Sequence, residues 1–493
     1  MTRFWRKTAR TGVRFYPAAL LAWFFVFQSS AEDIAPPAPD KPWLPPGSGA
    51  YEQELSRMGR DHSDAVMIDP AKTYDLPELI DIAERSHPET RVAWEQARAG
   101  ARAVGLSESA YYPYLAAVAS ADFEHQLFVL TSVFPGNAVA ENAGVELNWL
   151  LFDFGGRKAE VAGAREQLMM ANVNFNATHQ QIVFALTKSF YDFNTARQQV
   201  EAAEISLQAA QTVTEAAKAR FDNGLATKPD VLQAEQQTAQ ADYDLEAARG
   251  TLSDAQVALV NKLGIFPTAA IQVAKIPEGS VDANFDEPLD DLIDRALSQR
   301  PDLVAKLANL KASQAKVRQA RAEYYPKISL DAGAGWSKLD VNGYDSPYIG
   351  NSKPVYGAGI SVELPLFDGF ARRNRLRIAE AQLKAAASEL TNNRDNAAQE
   401  VMTAYVDLKT SLRKQDASLV LLSAAQSAFD ASLEAYQHGL GTYVDVVNAQ
   451  RNLAAARNTV VDARSEVYTS KTRLALSVGD LARPLPRSTT THS

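Results

Sequence analysis

The chain has 493 residues, 46% of them hydrophobic and 22% charged, with a formal net charge of −9 and no cysteine. The length allows more than one core, and the composition is that of a folded chain rather than a disordered one. The acidic balance excludes the basic footprint of a nucleic-acid binder. The lack of cysteine excludes disulfides, thiolate metal sites and a lipid anchor on an N-terminal Cys.

In chain order, residues 1–31 read as a cleaved secretory signal peptide. Arg3, Arg6, Lys7, Arg10 and Arg14 precede the apolar stretch Phe15–Phe27, and Ser29–Ala31 supply small residues for cleavage. That stretch, interrupted by Pro17, is short against the roughly 20 residues of a membrane span, and no later segment reaches that length. Losing five basic and no acidic residues takes the net charge from −9 to −14. Residues 32–73, Pro-rich and then polar, form an N-terminal extension expected to lie along the outside or stay partly disordered.

Residues 74–265 make a first repeat. A helical stretch ends at Tyr111-Tyr112-Pro113, and Tyr114–Leu127 and Gly144–Phe152 then switch to a period of two, with Phe134–Ala138 as the expected turn. Val145, Leu147, Trp149 and Leu151 share one strand face, with Glu146 and Asn148 on the other. From Ala164 to Asn223 there is no Gly or Pro, which predicts one very long helix. "GLATKPDVLQA" (Gly224–Ala234) turns the chain, and a helix over Asp230–Leu263 returns. Its seam places Val231, Thr238, Leu245, Leu252 and Leu259 every seven residues, with Ala234, Ala241, Ala248 and Ala255 as small companions.

Residues 266–288 form a Pro-, Gly- and acid-rich linker, after which residues 289–481 repeat the order. Gln299–Pro326 ends in a second Tyr-Tyr-Pro, and strands are expected over Lys327–Leu339 and Gly359–Phe367. The turn between them is Asn342–Pro354. Ala371–His438 again lacks Gly and Pro, and its seam runs Val401, Tyr405, Leu408, Leu412, Leu419, Leu422, Phe429, Leu433 and Tyr436, with Gln415 and Gln426 filling two positions. "GLGTYVDVVNA" (Gly439–Ala449) repeats the turn. The return helix alternates Val446, Leu453, Val460, Val467 and Leu474 with Ala449, Ala456, Ala463 and Ser470. Residues 482–493 read as a disordered tail. At 1.5 Å per residue each long helix reaches about 100 Å, and the two shorter ones of a repeat come to about 85–90 Å end to end. Each repeat is therefore read as a long helix antiparallel to two stacked short ones.

This duplicated pattern resembles the TolC family of outer-membrane efflux proteins over about Tyr74–Leu481. The resemblance is carried by the two Tyr-Tyr-Pro to Leu-Phe-Asp hairpins (Leu151–Asp153 and Leu366–Asp368), the equal long helices and the two Gly-Leu-x-Thr turns. It implies an α+β, mostly α fold whose homotrimer forms a 12-strand β-barrel in outer-membrane lipid, continued by a 12-helix α-barrel across the periplasm. It further implies a passive exit duct, joined by a periplasmic adaptor to an inner-membrane pump. Carried over by position, Asp445 falls on a constriction aspartate and Asn448 where a second aspartate stands. Tyr436 and Asp230 fall on a tyrosine–aspartate link between neighbouring hairpins. Gly441 stands where the family has a gate-latching arginine, so this gate is expected to be tied more loosely or differently. The turn residues Gly224, Leu225 and Thr227, with Gly439, Leu440 and Thr442, fall on the adaptor-docking tips.

Local chemistry offers a second reading of each site. Thr227-x-x-Asp230 and Thr442-x-x-Asp445 are helix-start signatures, and Gly-Leu is a helix stop with its hydrophobic contact. Trp149 and Trp336 fit either an interface belt or sheet packing. No metal spacing, nucleophile elbow or phosphate loop is present, so neither catalysis nor a cofactor is expected. The competing class is a structural periplasmic coiled-coil protein, which leaves the paired hairpins unexplained.

Overall fold

The computed structural model describes residues 53–57, 68–129, 133–266, 271–276, 285–343 and 349–482. The signal peptide, most of the extension, parts of the linker and the tail beyond 482 lie outside the described residues. Residues 53–57 form one helical turn in a first unit, 1–65; a second unit, 66–493, carries every element below.

Strand β1 (Thr73–Tyr74) leads into α1 (Leu76–Ser86) and α2 (Pro88–Glu108). A hairpin of β2 (Tyr114–Val129) and β3 (Val133–Phe152) precedes α3 (Gly156–Asp222) and α4 (Lys228–Lys262). After β4 (Gln272–Val273) the order recurs as α5 (Leu289–Gln299), α6 (Pro301–Ala322), β5 (Lys327–Gly343), β6 (Ile349–Glu363), α7 (Ala371–Gln437) and α8 (Tyr443–Val478). The long helices α3 and α7 are both 67 residues.

The short helices do stack. Gly264 ends α4 at φ 68°, and a Cβ there would lie 2.7 Å from the Cα of His87, the N-cap of α2. The Ser86 hydroxyl donates to the Leu263 carbonyl at 2.6 Å. Gly479 does the same for repeat 2, packed on Arg300, the N-cap of α6. Helix α3 packs along α2 and α4 of its own repeat and along α6 and α8 of the next, while α7 packs along α6 and α8. The result is a layer whose outermost helices are α2/α4 and α7.

The heptad seams are where the cores form. Val446, Leu453, Val467 and Leu474 are buried with Ala449, Ala456, Ala463 and Ser470 between them. Val401, Leu408, Leu412, Phe429 and Tyr436 are buried on α7, with Gln415 also enclosed. Leu419 departs from the expected seam and is exposed; Ser411, Ser418 and Ala425 pack there instead, because small residues bring the helices closer.

The four long strands form one antiparallel sheet in the order β2-β3-β5-β6. They are longer than the ten residues expected, and the expected turn Phe134–Ala138 lies inside β3, with Pro135 opposite Leu127. Pro reads as a turn signal, but it is tolerated in strands where no ladder donor is needed. The β5–β6 ladder likewise runs into the second expected turn, reaching Val341 opposite Ile349, and residues 344–348 lie outside the described residues. At the other end β6 stops at Glu363, so Leu364 and Leu366 lie beyond the ladder that their alternation predicted.

The Leu-Phe-Asp motif is the joint between sheet and helix. Asp153 accepts from the Arg157 amide at 2.6 Å, and Asp368 from the Arg372 amide at 2.9 Å, so each aspartate caps the first turn of a long helix. Arg157 also donates to the carbonyls of Leu150 and Leu151 at the end of β3. The turn requires left-handed backbone at Phe154-Gly155 and Gly369-Phe370.

Two features were not foreseen. The 11-residue helices α1 and α5 flank the stack junctions, and β1 pairs in parallel with β4. The signal for α1 was present: Asp75 and Glu78 form a capping box.

Candidate functional site

The α3–α4 and α7–α8 hairpins end in two related turns. In the first, Gly224 (φ 73°) follows the last helical turn and the Leu225 amide donates back to the Arg220 carbonyl at 2.7 Å. In the second, Gly439 (φ 79°) does the same and the Leu440 and Gly441 amides both donate to the Ala435 carbonyl. Only glycine reaches these angles without strain. Both leucines project into solvent, Leu225 at 66% and Leu440 at 87% exposed.

Thr227 and Thr442 then cap the return helices. The Asp230 carboxylate accepts from the Thr227 amide at 2.9 Å and its hydroxyl at 2.8 Å. Asp445 accepts from the Thr442 amide at 3.1 Å and its hydroxyl at 2.6 Å. These donors hold the Asp445 carboxyl below its ordinary value. Capping is therefore a role both aspartates have. Asp445 and Asn448, one turn apart, are also exposed, and Asp230 is partly so.

The tyrosines lie behind this surface. Tyr436 and Tyr443 are buried edge to face with ring centres 6.0 Å apart. Burial raises both hydroxyl pKa values, that of Tyr443 to about 12, although Arg220 pulls Tyr436 the other way. Neither hydroxyl has a hydrogen-bond partner, so within this chain Tyr436 and Asp230 do not bond to each other. Sequence reasoning missed Arg220, whose guanidinium lies 4.7 Å over the Tyr436 ring. A basic residue in the last turn of a helix was the available clue.

The sheet separates two chemistries. One face carries Leu115, Ala117, Val145, Leu147, Leu330, Ala332, Ala334, Tyr356 and Ile360 in cross-strand register. From the Ile328 row to the Trp336 row this apolar band is about 26 Å along the strand. Trp149 lies near one end, its indole donating to the Tyr111 carbonyl at 2.9 Å, and Trp336 marks the other, followed by a Lys338–Glu141 ion pair. The opposite face carries Ser120, Asp122, Asn142, Glu146, Asn148 and Asp331, with Asp331 accepting from Asn148 at 2.5 Å and Ser361 at 2.9 Å. Among the described residues no helix is long and apolar enough to cross a membrane, and no group of three His, Asp or Glu is placed to hold a metal ion.

Comparison with known proteins accounts for this arrangement. The family model described as outer membrane efflux protein matches residues 79–265 and 292–480. Protein CyaE of Bordetella pertussis is 30% identical over 409 residues, 83% of this chain and 84% of that protein. The cation efflux system protein CusC of Escherichia coli K12 is 26% identical over 379 residues, 75% and 78% of the two chains. The outer-membrane channel OprN superposes with a TM-score of 0.74 at 20% identity, covering 85% of this chain and 97% of its own. VceC of Vibrio cholerae superposes at 0.71 and 21% identity, covering 82% and 96%. The fold is that of these outer-membrane channels. The chain belongs to the outer membrane efflux protein family: it is an efflux channel of the outer membrane, of a kind that is not enzymatic.

Proposed function

We propose that three copies assemble into the conducting unit, the outer-membrane exit duct of a tripartite system. The observation that carries this reading is the two-faced sheet with β2 and β6 left as open edges. An open edge is not tolerated in lipid, where every backbone group needs a partner. Three sheets of four strands would close as twelve, with the apolar band outward and the polar face inward. The helical layer supports the same closure, since Leu106, Leu232, Tyr243 and Val257 on α2 and α4, and Val406, Val420 and Leu421 on α7, are exposed. An adaptor and an inner-membrane pump would complete the system, the adaptor docking on Leu225, Leu440 and the neighbouring Gly224, Thr227, Gly439 and Thr442.

In this reading the tips form the gate. Asp445 would make a three-carboxylate ring with Asn448 one turn above, and Asp230 and Tyr436 would sit where neighbouring hairpins meet. A ring of carboxylates favours cations over anions. The test is the mass of the detergent-solubilised protein together with single-channel conductance of Asp445→Ala and Asp230→Ala. A trimer whose conductance rises when Asp445 is replaced supports duct and gate. A trimer unaffected by either substitution returns both aspartates to helix capping alone.

A further inference from the structure

We propose that Arg220 is a clasp that fixes the tip of the second hairpin to the first within one protomer, and so a positioning residue for the gate. The consequence for gating rests on the preceding reading, while the contact itself does not. Arg220 stands in the last turn of α3. Its Nη1 donates to the carbonyls of Tyr436 and, at 3.3 Å, Gln437, at the end of α7. Its Nη2 donates to the Leu225 carbonyl at 3.2 Å, in its own turn. One guanidinium thus serves both tips at once.

Three features make this contact specific. The last carbonyls of a helix have no partner within it and carry its negative dipole end, which suits a cation there. The planar fork of arginine reaches three carbonyls and covers the Tyr436 ring together, which a lysine ammonium does not do. The clasp is also one-sided: 215 residues on, the matching position of the second hairpin is Ala435. Gly439 itself is required by its φ of 79° and not by the clasp, since a Cβ there would stand 3.8 Å from both Nη atoms, an ordinary contact.

Beneath the clasp the hairpins are joined by packing. Val213, Ala217 and Ala234 of the first pack with Phe429, Tyr436, Tyr443 and Val446 of the second. Polar satisfaction at the clasp is incomplete, since Arg220 Nε and the two tyrosine hydroxyls are buried without partners. Losing the guanidinium therefore frees the last turn of α7 and residues 439–441, and leaves the packed hairpins together. Tyr436 links the two effects, because its carbonyl accepts from both Arg220 and the Gly439 amide.

The test is amide hydrogen exchange on the full-length protein in detergent, with Arg220→Ala and Arg220→Lys, followed by single-channel conductance. Arg220→Ala is expected to speed exchange at 439–441 at least tenfold, with Arg220→Lys intermediate and residues 446–456 unchanged. Conductance should rise about twofold or more if the gate is at the tips. Unchanged exchange at 439–441 overturns the clasp. Acceleration that extends equally through 446–456 also overturns it, because Arg220 would then be a general stability residue. Local acceleration without a change in conductance keeps the clasp and rejects the tip gate.

Discussion

A single methyl group at residue 335 measures how closely β3 and β5 must approach. Gly335 pairs with Gly144, and a Cβ at 335 would lie 2.5 Å from the Ala143 carbonyl oxygen and 2.7 Å from the Gly144 Cα. Both neighbours are backbone, so no side chain can turn away. Ordinary contact begins near 3.4 Å, which requires the strands to part locally by about 0.7–0.9 Å. Overpacking of this kind costs about 1–3 kcal/mol, and each flanking ladder bond that lengthens forfeits part of about 0.5–1.5 kcal/mol. Gly335→Ala should therefore destabilise by about 2–4 kcal/mol. Gly333→Ala is the matched control: it lies two residues away on the same central strand, and its Cβ would meet nothing nearer than 3.5 Å, an ordinary contact. Both changes restrict the unfolded chain equally, by about 0.4–1 kcal/mol, so their difference isolates the clash. The assay is the guanidinium midpoint of folded protein in detergent, with the folded band followed by gel mobility. Equal midpoints for the two variants would refute the close approach.

Other predictions concern the tips. Asp445 has its carboxyl held low by Thr442, so its capping contribution is present above the ordinary value of 3.8 and is lost only as pH falls through the lower folded value. Thr442→Val removes the hydroxyl donor and should move the acid loss of cation selectivity to higher pH, while Thr442→Ser leaves it in place; coincident pH profiles for all three proteins would contradict this. Tyr443 should ionise near pH 12 rather than 10. Its neutral form is the one the fold favours, so stability should hold below pH 10 and decline as pH rises toward 12, read by the absorbance of phenolate and by unfolding midpoints. Tyr443→Phe should be neutral or stabilising by up to about 1 kcal/mol, because the buried hydroxyl it removes has no partner. A loss of more than 1 kcal/mol would mean that the hydroxyl is bonded.

Much of the fold is legible because the long helices write their packing into a regular period. Val446, Leu453, Val467 and Leu474 are buried where the heptads put them, and the 215-residue repeat predicted helices of equal length. What was misread is local chemistry with two meanings. Pro135 and Gly136 look like a turn but sit in β3, because a ladder opposite another long strand outweighs residue preference. Leu419 fits the α7 seam by spacing, yet Ser418 and Ala425 are the residues enclosed. The capping geometry of Thr227–Asp230 and Thr442–Asp445 was readable because it lies within four residues. The role of Arg220 was not, since two of the three carbonyls it serves, those of Tyr436 and Gln437, stand more than two hundred residues away. Contacts of that separation depend on how the hairpins pack, which a local pattern does not encode.

The central claim is tested most directly by reconstituting the purified protein in a planar bilayer and measuring single-channel current and reversal potential in a salt gradient. The account predicts a small, cation-selective conductance, since the polar sheet face carries Asp122, Glu146 and Asp331 and the second tip carries Asp445. No conductance from protein shown to be trimeric and inserted would contradict it.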